Sequence, residues 1–207
     1  MSDARTRELE RRALLGDHEA QVRLLRARVR AGDLPIERLR LAAYLGHAPS
    51  REALGEEALP PADLQAWIRG LAAHPDSVLA GVRAAVVAAE RVLPLWEAER
   101  PNDDRPRLLI AATVAWIRHP CFDHARAARG RLSSRIASEA QEQVLAAIRL
   151  AAGAAEVAQS PSASAPRRSV FYAAAACSLA AGLVGEVHLR SAIGRALAPW
   201  ALGLETD

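Results

Sequence analysis

The sequence predicts an all-α protein, a multi-helix array of about ten antiparallel helices with N-terminal helical hairpins packed on a larger helical bundle. Composition is the first indication, because the 207 residues include 47 alanines, 27 arginines and no lysine. Alanine, leucine, arginine and glutamate favour helices, whereas aromatic residues, which favour strands, make up only 4% of the chain. The second indication is the spacing of glycines and prolines, which divide the chain into segments of helical length.

Residues 1–58 are predicted to form an N-terminal segment of short helices stacked as hairpins. Four predicted helices in this segment each end at a glycine: Gly16, Gly32, Gly46 and Gly55. Glycine commonly ends a helix because it adopts the left-handed backbone conformation without strain. Asp17 is expected to cap the second helix, and Pro35 is expected to open the third.

Residues 60–207 are predicted to form the larger helical bundle. A long helix is expected from Asp76 to about Arg100, and Pro94 is expected to kink or shorten it. The next helix, ending near Arg118, is apolar on most sides and is predicted to be the central buried helix. An eighth helix is expected to run from Asp123 to about residue 159, with a weak point at Gly130. A flexible loop at 160–169 and two closing helices complete the bundle.

Charge and hydropathy exclude several classes of protein. Residues 41–104 carry five arginines and ten acids, giving −5, whereas residues 105–138 carry seven arginines and one acid, giving +6. This asymmetry favours docking to a protein partner or internal pairing over nucleic-acid binding. The longest apolar run, residues 170–185, is shorter than the roughly 20 residues that span a membrane. We therefore predict a cytoplasmic protein that binds neither nucleic acid nor membrane.

The strongest candidate for a chemical centre is the turn HPCFDH, which holds His119, Cys121 and His124. These residue types bind metals, and a cysteine beside a histidine can also act as a nucleophile. A structural zinc site, however, requires four ligands, and the chain has no CxxC pair. The sequence also lacks the GxSxG and glycine-rich phosphate motifs. We expect no enzyme activity, no metal and no cofactor, and keep a metal or thiol site at 119–124 as an alternative.

Residues 83–118 read RAAVVAAERVLPLWEAERPNDDRPRLLIAATVAWIR and carry the most distinctive pattern in the chain. A V-L-P-aromatic-E element ends one helix, an Asp-x-Arg-Pro-Arg loop follows, and an Ile-Ala-rich helix carries a tryptophan. This segment resembles an all-helical domain of immunity proteins from bacterial toxin systems. The resemblance implies a non-enzymatic protein that binds and neutralises a toxin. A helical adaptor that binds another partner through its N-terminal hairpins is the alternative.

The loop between these two helices supplies the predicted partner-binding or loop-organising residues: Glu97, Asp103, Asp104, Arg105 and Arg107. We expect Asp104 and Arg105 to organise the loop, with Asp103 or Asp104 capping the following helix. Arg107 is expected to pair with a carboxylate. Arg105 is expected to form a bidentate ion pair with an acid of the preceding helix, either Glu97 or Glu99.

Overall fold

The computed structural model describes residues 3–55, 60–74, 76–127 and 138–204, and these residues form an all-α fold. They contain eleven α-helices, a short 3₁₀ turn at Leu71–Ala73, and no strand. The helices are α1 (Asp3–Leu14), α2 (His18–Ala31), α3 (Ile36–Tyr44), α4 (Ala48–Leu54), α5 (Leu64–Gly70), α6 (Ser77–Glu99), α7 (Arg105–Arg118), α8 (Phe122–Ala127), α9 (Glu139–Ala158), α10 (Ala165–Val184) and α11 (Glu186–Ala201). The all-α prediction is therefore confirmed.

The chain divides into two compact units, and unit 1 comprises residues 1–60 and 194–207. Its helices are short, α1 packs on α2, and α4 packs on both α2 and α3. The four glycines that were predicted to end helices have positive φ angles, which residues other than glycine rarely adopt. Asp17 caps α2 as predicted, because its Oδ1 accepts a hydrogen bond from the backbone N–H of Ala20 at 3.0 Å.

The C-terminal segment belongs to unit 1 by its contacts. Arg38 of α3 donates from Nε to the carbonyl of Ala201 at 3.0 Å and from Nη2 to the carbonyl of Trp200 at 2.5 Å. Gly194 lies so close to Leu45 that a Cβ at Gly194 would be 2.5 Å from the Leu45 carbonyl oxygen. From the sequence, residues 194–207 were assigned to the larger helical bundle at 60–207. Such contacts between distant parts of the chain leave no local signal in the sequence.

Unit 2 comprises residues 61–193, and its core is formed by the mutually packed helices α6, α9 and α10. Alanines fill these interfaces, and many are fully buried, among them Ala84, Ala88, Ala154 and Ala173. Small side chains bring helix backbones close together, so contacts are made along the whole length of each helix. The predicted central helix, α7, packs on α6 and α9 but leaves Leu108 58% exposed, so it lies at the edge of this core.

Three local expectations for unit 2 differ from the structure. Pro94 does not shorten α6, which ends at Glu99, close to the predicted end near Arg100, and the alternative of a kink stays a prediction. Where one helix was predicted from Asp123 to residue 159, the described residues form two helices, α8 and α9. Ser138 caps the start of α9. Gly130, the predicted weak point, lies outside the described residues. The predicted loop at 160–169 is shorter, because α10 begins at Ala165 and Ser169 donates from Oγ to the Ala154 carbonyl at 2.8 Å.

No helix within the described ranges is long and apolar enough to cross a membrane.

Candidate functional site

The turn between α6 and α7 is organised by Asp103. Its carboxylate accepts hydrogen bonds from Nε and Nη2 of Arg105, both at 2.7 Å, and from the Arg105 backbone N–H at 3.3 Å. The Arg105 guanidinium holds the pKa of the Asp103 carboxyl below its usual range, and the backbone bond acts in the same direction. This fork-to-carboxylate geometry orients the arginine at the first turn of α7.

Asp104 does not cap α7 through its side chain. It stands at the N-cap position, but no backbone N–H of the described residues donates a capping hydrogen bond to its carboxylate. The preceding residue, Asp103, accepts from the first N–H of the helix instead. Of the two predicted capping residues, it is thus Asp103 whose side chain bonds to the start of the helix, from one position before the N-cap. The expectation that Asp104 organises the loop stays a prediction.

Arg107 pairs with Glu97, which joins the start of α7 to the end of α6. Nε and Nη2 of Arg107 donate to Glu97 Oε1 at 2.9 and 2.7 Å. Glu99, the other acid proposed for Arg105, accepts a hydrogen bond from Gln141 of α9. The predicted carboxylate partner of Arg107 is thus Glu97, while the bidentate pair of Arg105 is formed with Asp103, two residues before it. Arg105 folds back on its own loop, whereas Arg107 faces α6.

An exposed leucine lies beside these ion pairs. Leu108 follows Arg107 and lies one helical turn beyond Asp104 and Arg105 on α7. Its side chain is 58% exposed, whereas its neighbour Leu109 is buried. The α6–α7 surface is defined here as Glu97, Asp103, Asp104, Arg105, Arg107 and Leu108. It combines one large apolar side chain with oriented charged groups.

The turn at 119–124 has the geometry of a helix connection. The rings of His119 and His124 have centroids 6.4 Å apart, and Nδ1 of His124 lies 2.9 Å from the carbonyl oxygen of His119. Cys121 is partly exposed and carries a free thiol. Across the described part of the chain, no three histidine, cysteine or acidic residues are grouped in a way that could hold a metal ion. The described residues therefore assemble no metal site, and the thiol alternative at Cys121 stays a prediction.

Unit 1 contains a second candidate site, a groove of about 540 Å³ between its helices. Three arginines of α2 line it, Arg23, Arg26 and Arg30. Its apolar lining includes Leu9 of α1, Ala27 and Val29 of α2, Ile36 and Leu39 of α3, and Leu54 of α4. We refer to it as the arginine groove. The three arginines share one face of their predicted helix, a pattern typical of a solvated surface, so the sequence alone did not indicate a groove.

No family model, curated protein or solved structure matches this chain. The resemblance of residues 83–118 to immunity proteins therefore stays a prediction.

Proposed function

We propose that this chain is a non-enzymatic protein-binding module that contacts its partner through the α6–α7 surface. The observation that carries the proposal is the exposure of Leu108 beside two arginines that their own carboxylates hold in place. Arginine contributes disproportionately to binding when a partner buries it. Burial of an exposed apolar side chain such as that of Leu108 adds a hydrophobic contribution. Ordered arginines lose less conformational freedom on binding than free ones.

The two ion pairs leave the arginines available to a partner. The Arg107 side chain is 67% exposed, and that of Arg105 is 45% exposed. In each pair the arginine is more exposed than its carboxylate, which is 14% exposed for Asp103 and 30% for Glu97. A partner carboxylate can therefore share each guanidinium without displacing the existing pair. The oppositely charged groups next to Leu108 would then select a partner with a complementary charge pattern.

The partner class that we propose is a bacterial toxin, which the chain would neutralise by binding. This step rests on the resemblance of residues 83–118 to immunity-protein domains. The α6–α7 surface lies within that segment, which supports the assignment of the same surface to partner binding. A neutralising protein needs a stable surface and no catalytic group of its own, and the helical scaffold provides such a surface.

The test begins with the isolation of partners from the host cell on tagged full-length protein. The partner is then purified and titrated against four proteins: the wild-type chain, Leu108→Ala, Arg107→Ala and the control Arg118→Ala at the other end of α7. We expect Leu108→Ala to weaken binding by about tenfold or more, as central interface residues do. Growth arrest by the partner alone, relieved by co-expression of the chain, would support toxin neutralisation. Equal affinity of all four proteins would contradict the assigned surface.

The helical-adaptor alternative is favoured by one specific observation, the arginine groove of unit 1. An adaptor would bind its partner through the N-terminal hairpins, where the groove lies. Titration of the isolated partner against Arg23→Glu/Arg30→Glu separates the two functions. Loss of partner binding in this variant, with Leu108→Ala unaffected, would favour the adaptor.

A further inference from the structure

We propose that the arginine groove binds an acidic amphipathic helix of a protein partner. This inference rests on the proposed protein-binding function and extends it by assigning a second surface and the chemistry of its occupant. The groove combines the two features that such a helix requires. Apolar side chains from four helices line it, and three cationic side chains stand along one side. Among the residues that the structure describes, those that line it include no acid.

The spacing of the arginines fits a helix lying alongside α2. Arg23, Arg26 and Arg30 are three and four residues apart, so they occupy successive turns of one helix face. Arg23 and Arg30 are seven positions apart, so the row is about 10 Å long at 1.5 Å per residue. A neighbouring helix with carboxylates at the same three- and four-residue spacing would place one opposite each arginine.

The charges of these arginines are available to an occupant. Arg26 donates from Nε to the Ala53 carbonyl at 3.1 Å and from Nη2 to the Glu52 carbonyl at 2.8 Å. Arg30 donates from Nε to the Arg26 carbonyl at 3.3 Å. Backbone carbonyls hold a guanidinium in place without cancelling its net charge.

Arg23 differs from the other two arginines because it pairs with Glu19 on its own helix. Both side chains of that pair are more than 60% exposed. An exposed pair within one helix is weak. A carboxylate of the occupant can therefore replace Glu19.

The apolar lining explains why the occupant should be amphipathic rather than only acidic. Leu9, Val29, Ile36 and Leu54 are each only partly buried, although all four are strongly apolar. Their burial by an apolar helix face would supply the non-directional part of the binding energy. A fatty acid could also fill an apolar groove, but it brings one carboxylate to a row of three cations.

The test uses a fluorescein-labelled peptide with leucines along one helix face and glutamates beside them at three- and four-residue spacing. It is titrated against the full-length chain by fluorescence anisotropy. We expect saturable binding that weakens by about tenfold or more in Arg23→Glu/Arg30→Glu, because two attractive contacts become repulsive. The control Arg118→Glu/Arg195→Glu makes the same change in net charge outside the groove and should bind within about twofold of wild type.

A second variant removes space rather than charge. Ala27→Leu should weaken peptide binding because the larger side chain occupies the groove, while circular dichroism verifies that each variant remains folded. The proposal is overturned if a glutamine version of the peptide binds as tightly as the glutamate version, or if the arginine variant binds as wild type does. Dodecanoate binding that the arginine variant loses, without binding of either peptide, would also overturn it.

Different measurements test the proposed partner-binding role of the α6–α7 surface and the proposed helix-binding role of the arginine groove. Leu108→Ala leaves the groove intact, so it should bind the peptide as tightly as the wild-type chain does. A failed peptide titration therefore counts against the groove alone. Equal partner affinity of wild type and Leu108→Ala counts against the α6–α7 surface alone.

Discussion

The two compact units pack their helices by different means. In unit 2, the core helices α6, α9 and α10 are 20 to 23 residues long and meet through rows of fully buried alanines. In unit 1, α1 to α4 are 7 to 14 residues long and meet through larger side chains such as Leu25, Leu39 and Leu41. Unit 1 also depends on a few polar contacts to backbone, including those of Arg38.

This difference in packing determines how sensitive each unit is to a single substitution. Alanine contacts along long helices are numerous and individually small, so no single one decides the packing. Short helices make fewer contacts, and each specific contact carries a larger share. The arginine groove also lies among the short helices, where apolar side chains remain only partly covered.

The closeness of packing in unit 2 can be measured at Cys177. This thiol of α10 is fully buried, and burial raises its pKa to about 12. Since the thiolate is the reactive form, we expect iodoacetamide to modify Cys177 only when the core opens. The partly exposed Cys121 provides the internal reference. Mass spectrometry should show Cys177 reacting at least about a thousandfold more slowly than Cys121. Similar rates in the folded protein would show that the alanine core is loosely packed.

The dependence of unit 1 on single contacts can be tested at Gly194. A Cβ at this position would lie 2.5 Å from the Leu45 carbonyl oxygen, and backbone cannot move aside as a side-chain end can. We expect Gly194→Ala to lower the free energy of unfolding by about 3 kcal/mol in urea titrations. Gly182→Ala is the matched control, because its Cβ meets nothing within 4 Å. The control should raise stability by about 0.5–1 kcal/mol through better helix propensity. An equal response of both variants would contradict the close approach.

The corresponding substitution in unit 2, Gly153→Ala, should have a smaller effect. Its Cβ would lie 2.9 Å from Cδ1 of Tyr172, a ring that is only partly buried and can rotate away. The gain in helix propensity offsets part of this repacking cost. We expect the free energy of unfolding to change by less than about 1 kcal/mol in the same titration. A loss as large as that of Gly194→Ala would remove the proposed difference between the units.

Local features of this fold could be predicted from the sequence, whereas contacts between distant elements could not. Gly16, Gly32, Gly46 and Gly55 end their segments because each adopts the left-handed conformation that the residue type favours. The early start of α10 was missed, because a stretch rich in serine and proline is typical of a loop. A hydrogen bond from Oγ of Ser169 to the carbonyl of Ala154 joins the first turns of α10 to α9.

The candidate site departs from this rule at Arg105, whose partner close in the sequence was not predicted. The pairing of Arg105 with Asp103 spans two residues, and that of Arg107 with Glu97 joins two helices. The sequence indicated the residue types and the loop, but the pairing of Arg107 with Glu97 requires α6 and α7 to pack on each other. Residues of four helices line the arginine groove. The spacing of the arginines on α2 alone could therefore indicate only a charged helix face.

The smallest effect that we expect concerns the polar contacts of unit 1, at His47 before α4. Nδ1 of His47 lies 2.7 Å from Oγ of the fully buried Ser50. Burial lowers the pKa of His47, and the nearby His18 lowers it further. Because the unfolded chain takes up this proton near pH 6.5 and the folded chain only at lower pH, stability is lost as the pH falls below about 6.5.

Urea titrations at pH 7.5 and 5.5 measure this loss, with His47→Gln as the test and the exposed His188→Gln of unit 2 as the control. The wild-type protein and the control should lose stability between the two pH values by the same amount, whereas His47→Gln should lose less. A His47→Gln variant with an unchanged pH response would show that unit 1 accommodates the charged imidazole, and that its polar contacts constrain the short helices less than its packing does.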